Sequence, residues 1–187
     1  MPNQHCGRGF TLPELVTSIA ILAILVSVAA PSFTNLRLTT LADGTKNDFY
    51  ALFNFARMSA IDRQSVVAVC PLTASGICSN NWTNEISVFE DINGNHEADS
   101  DEVILRTLEP GIDGWGTQKL PASRAYFEWN AIGTSNGTAG SVVICKPGGI
   151  KSGRALVVSF AGRVRTSHDY DGDGVHERIP GTPIDCS

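Results

Sequence analysis

The chain has 187 residues, a formal net charge of −5 and 42% hydrophobic residues. These values fit one folded domain with a sizeable core. They exclude a disordered chain and argue against a protein that coats nucleic acid through overall positive charge. The charge is uneven, because five basic residues and no acidic one lie between Glu128 and Asp169. This block indicates either a separate basic surface or chance clustering in solvated loops.

The first feature along the chain is an apolar segment. Residues 15–36, LVTSIAILAILVSVAAPSFTNL, contain no charged side chain, and about 20 apolar residues are enough for a helix to span a bilayer. An ordinary secretory signal, cleaved after the segment at a site such as SVAAPS, is one explanation. It does not account for Glu14, because a carboxylate at membrane depth costs about 2–3 kcal/mol.

The stretch GFTLPE at 9–14, followed by this apolar segment, resembles the prepilin signature of type IV pilins and type II secretion pseudopilins. The resemblance implies that a membrane peptidase cuts between Gly9 and Phe10, ahead of the apolar segment, and that Phe10 is then N-methylated. It also implies three parts of the chain. They are a leader at 1–9, a transmembrane and filament-core helix at 10–36, and a periplasmic head at 37–187.

Glu14 becomes the fifth residue of the processed chain, close to the new amino terminus. The ammonium group of Phe10, on the same or a neighbouring subunit, is a suitable partner for this carboxylate, and the pair would hold the register between packed helices. The dipole at a helix N-terminus also favours negative charge. We therefore expect the N-terminal helix to bind other major and minor pilins, with Glu14 as the assembly residue. Pro13 stands where the family commonly has Ile or Val, and proline is tolerated in a helix's first turn.

Beyond residue 35 the sequence predicts one long helix and then a β-rich head. The helix runs from Phe10 to about Arg63, and an apolar stripe marks its buried face: Phe49, Leu52, Phe53, Ala56 and Ala60. Six β-rich runs follow at 65–70, 85–90, 103–108, 124–129, 141–146 and 154–160. The expected fold class is α+β, with a pilin-like helix packed against antiparallel sheet. The order of elements, with ARMSAIDRQSVVAVC and FAGRVR, resembles the GspH/FimT branch of minor pilins and implies a head of two small sheets.

Four cysteines lie beyond the apolar segment, and an even number in an exported domain predicts two disulfides. Three connectivities are open. We favour Cys70–Cys78, which closes a short loop, and Cys145–Cys186, which fastens the C-terminal tail. A metal site fits less well, because neither pair has C-x-x-C spacing.

Two acidic turns come close to the spacing of a calcium loop. In residues 91–102 the candidate ligands are Asp91, Asn93, Asn95, Asp99 and Glu102, with His96 where glycine is required. In residues 169–180 they are Asp169, Asp171 and Asp173, with Pro180 where glutamate is required. Ordinary polar turns explain both stretches too, since Asp, Asn and Gly favour turns. We expect no cofactor other than calcium.

The stretch GRVR at 162–165 places Arg163 and Arg165 on one face of a strand, because side chains alternate along it. It resembles the G-R-x-R element that is associated with DNA capture during natural transformation in FimT-like minor pilins. The resemblance implies contacts with the phosphates of double-stranded DNA, which depend on salt but not on sequence. Further candidates precede it: Lys146, Lys151 and Arg154. The alternative is that Arg163 and Arg165 form ion pairs with the nearby acidic turn.

The sequence has no H-E-x-x-H motif and no phosphate-binding G-x-x-x-x-G-K motif, and we predict that the protein is not an enzyme. The predicted function is a minor pilin in the tip or priming complex of a type IV pilus. It would cross the bacterial inner membrane once, meet the prepilin peptidase there, and reach the cell surface after assembly. Two alternatives remain: DNA binding at the pilus tip, and a pseudopilin of a type II secretion system.

Overall fold

The computed structural model describes residues 11–110, 116–146, 149–184 and 186, without the side chains of 28–32, 34, 35, 38, 146 and 149–152. Gly9 and Phe10, the residues of the predicted cleavage, lie outside the described residues. The chain divides into two compact units, one up to Thr39 and one from Thr40 onward.

Helix α1 (Leu12–Arg63) has 52 residues, in agreement with the predicted helix. Glu14 lies in its first turn and Arg63 in its last turn, so both charges complement the helix dipole. The hydroxyl groups of Thr17 and Ser18 donate to the carbonyl of Glu14, at 3.0 and 2.8 Å, which satisfies them within the helix. Among the described residues, no helical stretch qualifies by length and apolar character as a membrane-crossing helix.

In the described part of the chain, ten strands follow α1. They are β1 (Val67–Pro71), β2 (Ile86–Glu90), β3 (Ile104–Leu108), β4 (Gly116–Leu120), β5 (Phe127–Trp129), β6 (Gly140–Lys146), β7 (Gly149–Val158), β8 (Val164–Thr166), β9 (Glu177–Ile179) and β10 (Thr182–Pro183). The first sheet has the order β3-β2-β1-β5 and the second the order β4-β6-β7-β8, while β9 and β10 form a separate pair. All pairings are antiparallel. The predicted α+β class with two small sheets is confirmed.

The apolar stripe of α1 forms the centre of the core. Its five residues are each 1% exposed or less: Phe49, Leu52, Phe53, Ala56 and Ala60. The same cluster contains Val67 and Val69 of β1 in the first sheet, and Ile144 of β6 and Leu156 of β7 in the second. Both sheets therefore pack against one face of the helix. Full burial of each large apolar side chain contributes about 1.5–3 kcal/mol.

Two disulfides join Cys70 to Cys78 and Cys145 to Cys186, with a Cα–Cα distance of 5.5 Å in each. Of the three connectivities open to the sequence, this is the favoured one. The second disulfide fastens the C-terminal tail to β6. Ile184 of the tail is buried in a small cluster with Val143 of β6. The tail thereby covers part of the second sheet's outer face.

Arg154 belongs to the fold and not to an exposed basic surface, so its prediction as a DNA-binding residue is wrong. It lies on β7 and is 6% exposed, and its Nε donates to Oδ1 of Asp43 on α1 at 2.9 Å. Nζ of Lys46 donates to the same oxygen at 2.9 Å. Burial raises the pKa of Asp43, but the hydrogen bonds from Arg154 and Lys46 outweigh it and hold the pKa below its ordinary value of 3.8. The ion pair thus ties β7 to α1.

The turn between β7 and β8 requires glycine at position 162. Gly162 has a φ of +73°, and its N–H donates to the carbonyl of Ser159 at 2.8 Å. A Cβ at this position would lie 2.0 Å from the carbonyl oxygen of Gly133. The indole N–H of Trp129 donates to the carbonyl of Gly162 at 3.0 Å. The first residue of GRVR must therefore be glycine, because two turns approach each other closely at this position.

The Asp43–Arg154 ion pair predicts that Asp43→Asn destabilises the fold by about 1–2 kcal/mol, because the guanidinium charge stays buried without a carboxylate. Full burial would make the loss larger, but the side chain of Asp43 is 43% exposed. The stabilisation by Asp43 is complete above pH 3.8 and is lost as the pH falls through the lower pKa of the folded state. Urea unfolding of the chain in detergent should show the difference between the two proteins vanish at low pH. Asp48→Asn, on the exposed face of α1, is the control, and an equal loss in both variants would contradict the prediction.

The Gly162 geometry predicts that Gly162→Ala destabilises the fold by roughly 2–4 kcal/mol, because it adds a steric clash to an unfavourable left-handed backbone conformation. Gly181→Ala is the matched control. Gly181 has a φ of +76°, and a Cβ added there would meet no heavy atom within 4 Å, so only the conformational cost of about 1–2 kcal/mol applies. Thermal unfolding of both variants measures the difference, and equal losses would refute the role of the close approach.

Candidate functional site

The β7–β8 hairpin brings the two arginines of GRVR to the surface of the head. The N–H of Ser159 donates to the carbonyl of Arg163 at 3.0 Å and closes the turn. In the ladder, Arg165 lies opposite Val157. Val164, between the arginines, packs against the main core cluster, so Arg163 and Arg165 lie on the opposite face. Both residues are exposed.

The alternative that these arginines are bound to the nearby acidic turn is not observed. Among the described residues, neither Arg163 nor Arg165 forms an ion pair. Asp169 instead accepts backbone N–H groups from Gly172 at 2.7 Å and from Gly174 at 2.9 Å. The two guanidinium groups are therefore available to an external anion.

Exposed apolar side chains lie in the turn that leads to the arginines and in the turn bonded to it. Phe160 in the hairpin turn is 74% exposed, and Ile132 in the neighbouring turn is 78% exposed. The N–H of Ser135 donates to the carbonyl of Phe160 at 3.2 Å, which holds the two turns together. We define the hairpin surface as Ile132, Phe160, Arg163 and Arg165. Arginine and aromatic side chains are the residues enriched where proteins bind macromolecules.

The other basic candidates do not add to this surface. The side chains of Lys146 on β6 and Lys151 on β7 lie outside the described part of the structure. Arg154 is buried against Asp43, as described above. Of the five predicted DNA-binding residues, Arg163 and Arg165 are thus the two that the described structure presents to solvent.

The first acidic turn does not gather its five expected calcium ligands. The side-chain amides of Asn93 and Asn95 donate to Oδ2 of Asp99, at 2.8 and 2.9 Å. Oε1 of Glu102 accepts the backbone N–H of Ile92 at 2.8 Å. These hydrogen bonds close the turn on itself. The fifth expected ligand, Asp91, makes different contacts.

That fifth ligand, Asp91, forms a cluster with His96 and Glu128. Oδ2 of Asp91 lies 2.8 Å from Nδ1 of His96, and the same nitrogen lies 3.8 Å from Oε2 of Glu128. The ring of Tyr126 stacks on that of His96 with centroids 3.7 Å apart. Burial, and then the charges of Glu128 and Asp91, raise the pKa of Tyr126. Sequence reasoning missed Glu128 because it comes from β5, far along the chain from the turn.

The second acidic turn brings its three expected ligands together. Carboxylate oxygens of Asp169, Asp171 and Asp173 lie within 4.8 Å of one another. Desolvation raises the pKa of Asp169, but the backbone N–H groups of Gly174 and Gly172 outweigh it and hold the pKa below its ordinary value. Calcium binding at this turn stays a prediction.

The stretch GTSNG at 133–137 matches the letters of the G-x-S-x-G motif of serine hydrolases, which sequence reasoning overlooked. Ser135 is fully buried, and its hydroxyl donates to the carbonyl of Phe160 at 3.3 Å. The stretch is a turn and not the strand-to-helix elbow in which the motif exposes its nucleophile. Ser135 therefore holds two turns together.

At the other end of the chain, Glu14 lies exposed in the first turn of α1. Its backbone N–H donates to the carbonyl of Thr11 at 3.1 Å, so the helix begins next to the predicted cleavage site. The predicted pairing with the amino group of Phe10 involves a residue outside the described part and stays a prediction.

Comparisons with known proteins agree with the fold of the head and with the N-terminal motif. The sequence model of the family described as Type II transport protein GspH matches residues 45–162. The prokaryotic N-terminal methylation motif matches residues 5–30. No curated protein matches the chain by sequence.

Two crystal structures of the type IV minor pilin FimU of Pseudomonas aeruginosa (strain PAO1) resemble the protein. The form in space group P65 has a TM-score of 0.53 at 21% identity, over 66% of this chain and 90% of that chain. The form in space group P21 has a TM-score of 0.53 at 20% identity, over 71% and 89%. These likenesses concern the fold. Since the family match covers more than half of the sequence and the methylation motif precedes it, the chain belongs to the GspH family and is a minor pilin or pseudopilin of the GspH/FimT type.

Proposed function

We propose that this protein is a minor pilin in the tip or priming complex of a type IV pilus. The prepilin peptidase cuts between Gly9 and Phe10, residues 10–36 anchor the chain in the inner membrane, and the head from residue 37 lies in the periplasm until assembly. One observation carries the proposal: Glu14 lies in the first turn of α1, directly before 22 residues without a charge. An isolated carboxylate is costly in such surroundings, whereas a carboxylate paired with a new terminal ammonium group is not.

The pairing gives Glu14 a role in assembly. Filament growth requires each new helix to reach a fixed depth among its neighbours, and a point charge near the helix start supplies such a reference. A helix shifted by one turn, about 5.4 Å, would lose the ion pair and leave both charges in an apolar medium. The partners are therefore other major and minor pilins, bound through the N-terminal helix.

The likeness to a type IV minor pilin supports a pilus over the alternative, a minor pseudopilin of a type II secretion system. The family is described as Type II transport protein GspH, so the experiment must also test the type II secretion system. The two assignments differ in the process that stops when the subunit is lost, so that one deletion strain scored for surface pili and for type II export separates them.

A second function follows from the hairpin surface: binding of double-stranded DNA at the pilus tip. Arg163 and Arg165 are exposed and carry no ion pair among the described residues. Guanidinium groups match phosphate oxygens in geometry as well as charge. The overall charge opposes DNA binding, because the processed chain, without Arg8 of the leader, has a formal charge of −6. The affinity should thus be modest and strongly dependent on salt.

The assembly role predicts that Glu14→Gln lowers incorporation into sheared pili at least about tenfold, since loss of roughly 1.4 kcal/mol of pairing energy has that effect on an equilibrium. Membrane levels of the subunit should stay near wild type. Quantitative mass spectrometry of pili and membranes measures both, and also the expected N-methylated start at Phe10. Glu85→Gln, an exposed head residue, is the control. Normal incorporation of Glu14→Gln, or a chain that starts at Met1, would refute the proposal.

The hairpin surface predicts that Arg163→Ala with Arg165→Ala weakens binding of a duplex DNA, measured by gel shift with the processed chain in detergent. The slope of log affinity against log salt should become shallower by about 2, since two phosphate contacts are removed. Arg63→Ala with Arg106→Ala is the matched control, because it removes the same charge from two exposed positions away from the hairpin. Absence of any shift at low salt, or equal weakening in the control, would exclude this function.

A further inference from the structure

The cleft beside β5 contains a group that its protein neighbours leave unsatisfied. The side chain of Asp91 is 0% exposed, and its Oδ1 has no hydrogen-bond partner among the described residues. The other oxygen, Oδ2, accepts the backbone N–H of His96 at 3.2 Å and faces Nδ1 of the same residue at 2.8 Å. A buried carboxylate oxygen without a partner is costly, and buried charges are normally paired or bound to a metal.

A second carboxylate makes the charge imbalance larger. Glu128 is 5% exposed and lies across from His96, with 3.8 Å between Oε2 and Nδ1. Arg124 also lines the cleft, but its guanidinium donates to the carbonyl of Gly137 and forms no ion pair among the described residues. Two buried carboxylates therefore face one imidazole, and a single imidazole cannot balance both of them.

The geometry points to a divalent metal site, and we propose that Asp91, His96 and Glu128 bind Zn²⁺. One ligand atom from each residue lies within 4.8 Å of the other two. Tetrahedral ligands about 2.0–2.1 Å from zinc are roughly 3.3 Å apart, and the observed separations from Nδ1, 2.8 and 3.8 Å, lie on either side of this value. Adjustments of about half an ångström would bring both of these separations to the tetrahedral value.

The choice of metal follows from the donors. One imidazole nitrogen with two carboxylate oxygens suits zinc, whereas calcium takes six to eight oxygen ligands and rarely a nitrogen. The cleft has a volume of about 430 Å³ and is also lined by Asn93, Asn136 and Thr138, which leaves room for water as a fourth ligand. All four cysteines beyond the apolar segment are in disulfides, so they do not compete as thiolates.

The surroundings hold the three ligands in place. Tyr126 stacks on the imidazole of His96 with ring centroids 3.7 Å apart, and the amide of Asn136 hydrogen-bonds to Oε1 of Glu128. Outer contacts of this kind fix ligand orientation in metal sites. The site joins the turn after β2 to β5, so a bound ion would stabilise that edge of the first sheet. This inference is independent of the proposed function, because no pilus or DNA contact enters it.

The test uses the purified chain in detergent, stripped with a chelator and titrated with ZnCl₂ by calorimetry. We expect one zinc per chain and a higher unfolding temperature with zinc, since an ion that binds only the folded state stabilises it. His96→Asn should weaken binding at least about tenfold. Asparagine tolerates the left-handed backbone of His96, with φ +61°. His168→Asn, at an exposed histidine directly before the second acidic turn, is the control and should bind like wild type.

Three outcomes with the wild type and the two histidine variants would overturn the proposal. They are no zinc binding by the stripped wild type, equal affinity in His96→Asn, and equal weakening in the His168→Asn control. Glu128→Gln provides an independent arm if the histidine variant fails to fold, and unchanged zinc affinity in that variant would overturn the proposal as well. Substitution by Co²⁺ adds a spectroscopic readout, because visible absorption by the bound ion should appear in wild type and be lost in both ligand variants. A CaCl₂ titration that gives tighter binding than zinc, unaffected by His96→Asn, would assign the ion to the second acidic turn instead.

Discussion

Phe53 lies where the stripe of α1 meets both sheets, and its burial organises the head. Its ring lies 5.0 Å from that of Phe127 and 5.6 Å from that of Trp129, between centroids, and both partners are on β5. Trp129 in turn donates its indole N–H to the carbonyl of Gly162. Phe53 and Trp129 are both fully buried. Their contacts link the centre of the core directly to the hairpin turn at Gly162. The exposed arginines of GRVR lie one and three residues beyond its end.

Within GRVR, Val164 lies on the buried face of the second sheet, and Arg163 and Arg165 lie on its exposed face. Val164 faces the main cluster and fixes the register of β8 against β7. A shift by one residue would bury Arg163 and Arg165 and expose Val164, which the period of two along a strand makes unfavourable. The same sheet uses Arg154 differently, since that side chain is buried and bound to Asp43 on α1. Three arginines close in sequence thus have two roles, and burial distinguishes them.

Much of the fold could be predicted from the sequence because its signals are local. The apolar stripe of α1 identified the buried helix face, and β-branched runs identified β1, β2 and β6. Strand β4 was missed, because GTQKL has no apolar run and includes a lysine. Lys119 is 4% exposed and lies 4.6 Å from the ring centre of Phe127. Burial, with a smaller effect of Arg124, lowers its pKa to about 8.

The candidate sites divide in the same way. The position of Glu14 before the apolar segment and the alternation in GRVR are local patterns, so both could be recognised along the chain. The burial of Arg154 depends on Asp43, which lies 111 residues away in sequence. Likewise, the turn at 91–102 has the spacing of a calcium loop, but Asp91 faces Glu128 from another strand. Charged residues whose partners are distant in sequence cannot be assigned a role before the fold is known.

Glu14 and Asp91 present one electrostatic problem in two environments. Asp91 is buried, and Glu14 would be poorly solvated at the membrane depth that we propose for it. Each placement is unfavourable unless a cation lies nearby. For Glu14 the proposed cation is the terminal ammonium group created by cleavage, because residues 15–36 contain no basic side chain. For Asp91 the described residues supply His96, which Glu128 also faces, whereas Arg124 lines the cleft without forming an ion pair. In our two proposals the compensating positive charge is a terminal ammonium group in the first case and a bound ion in the second.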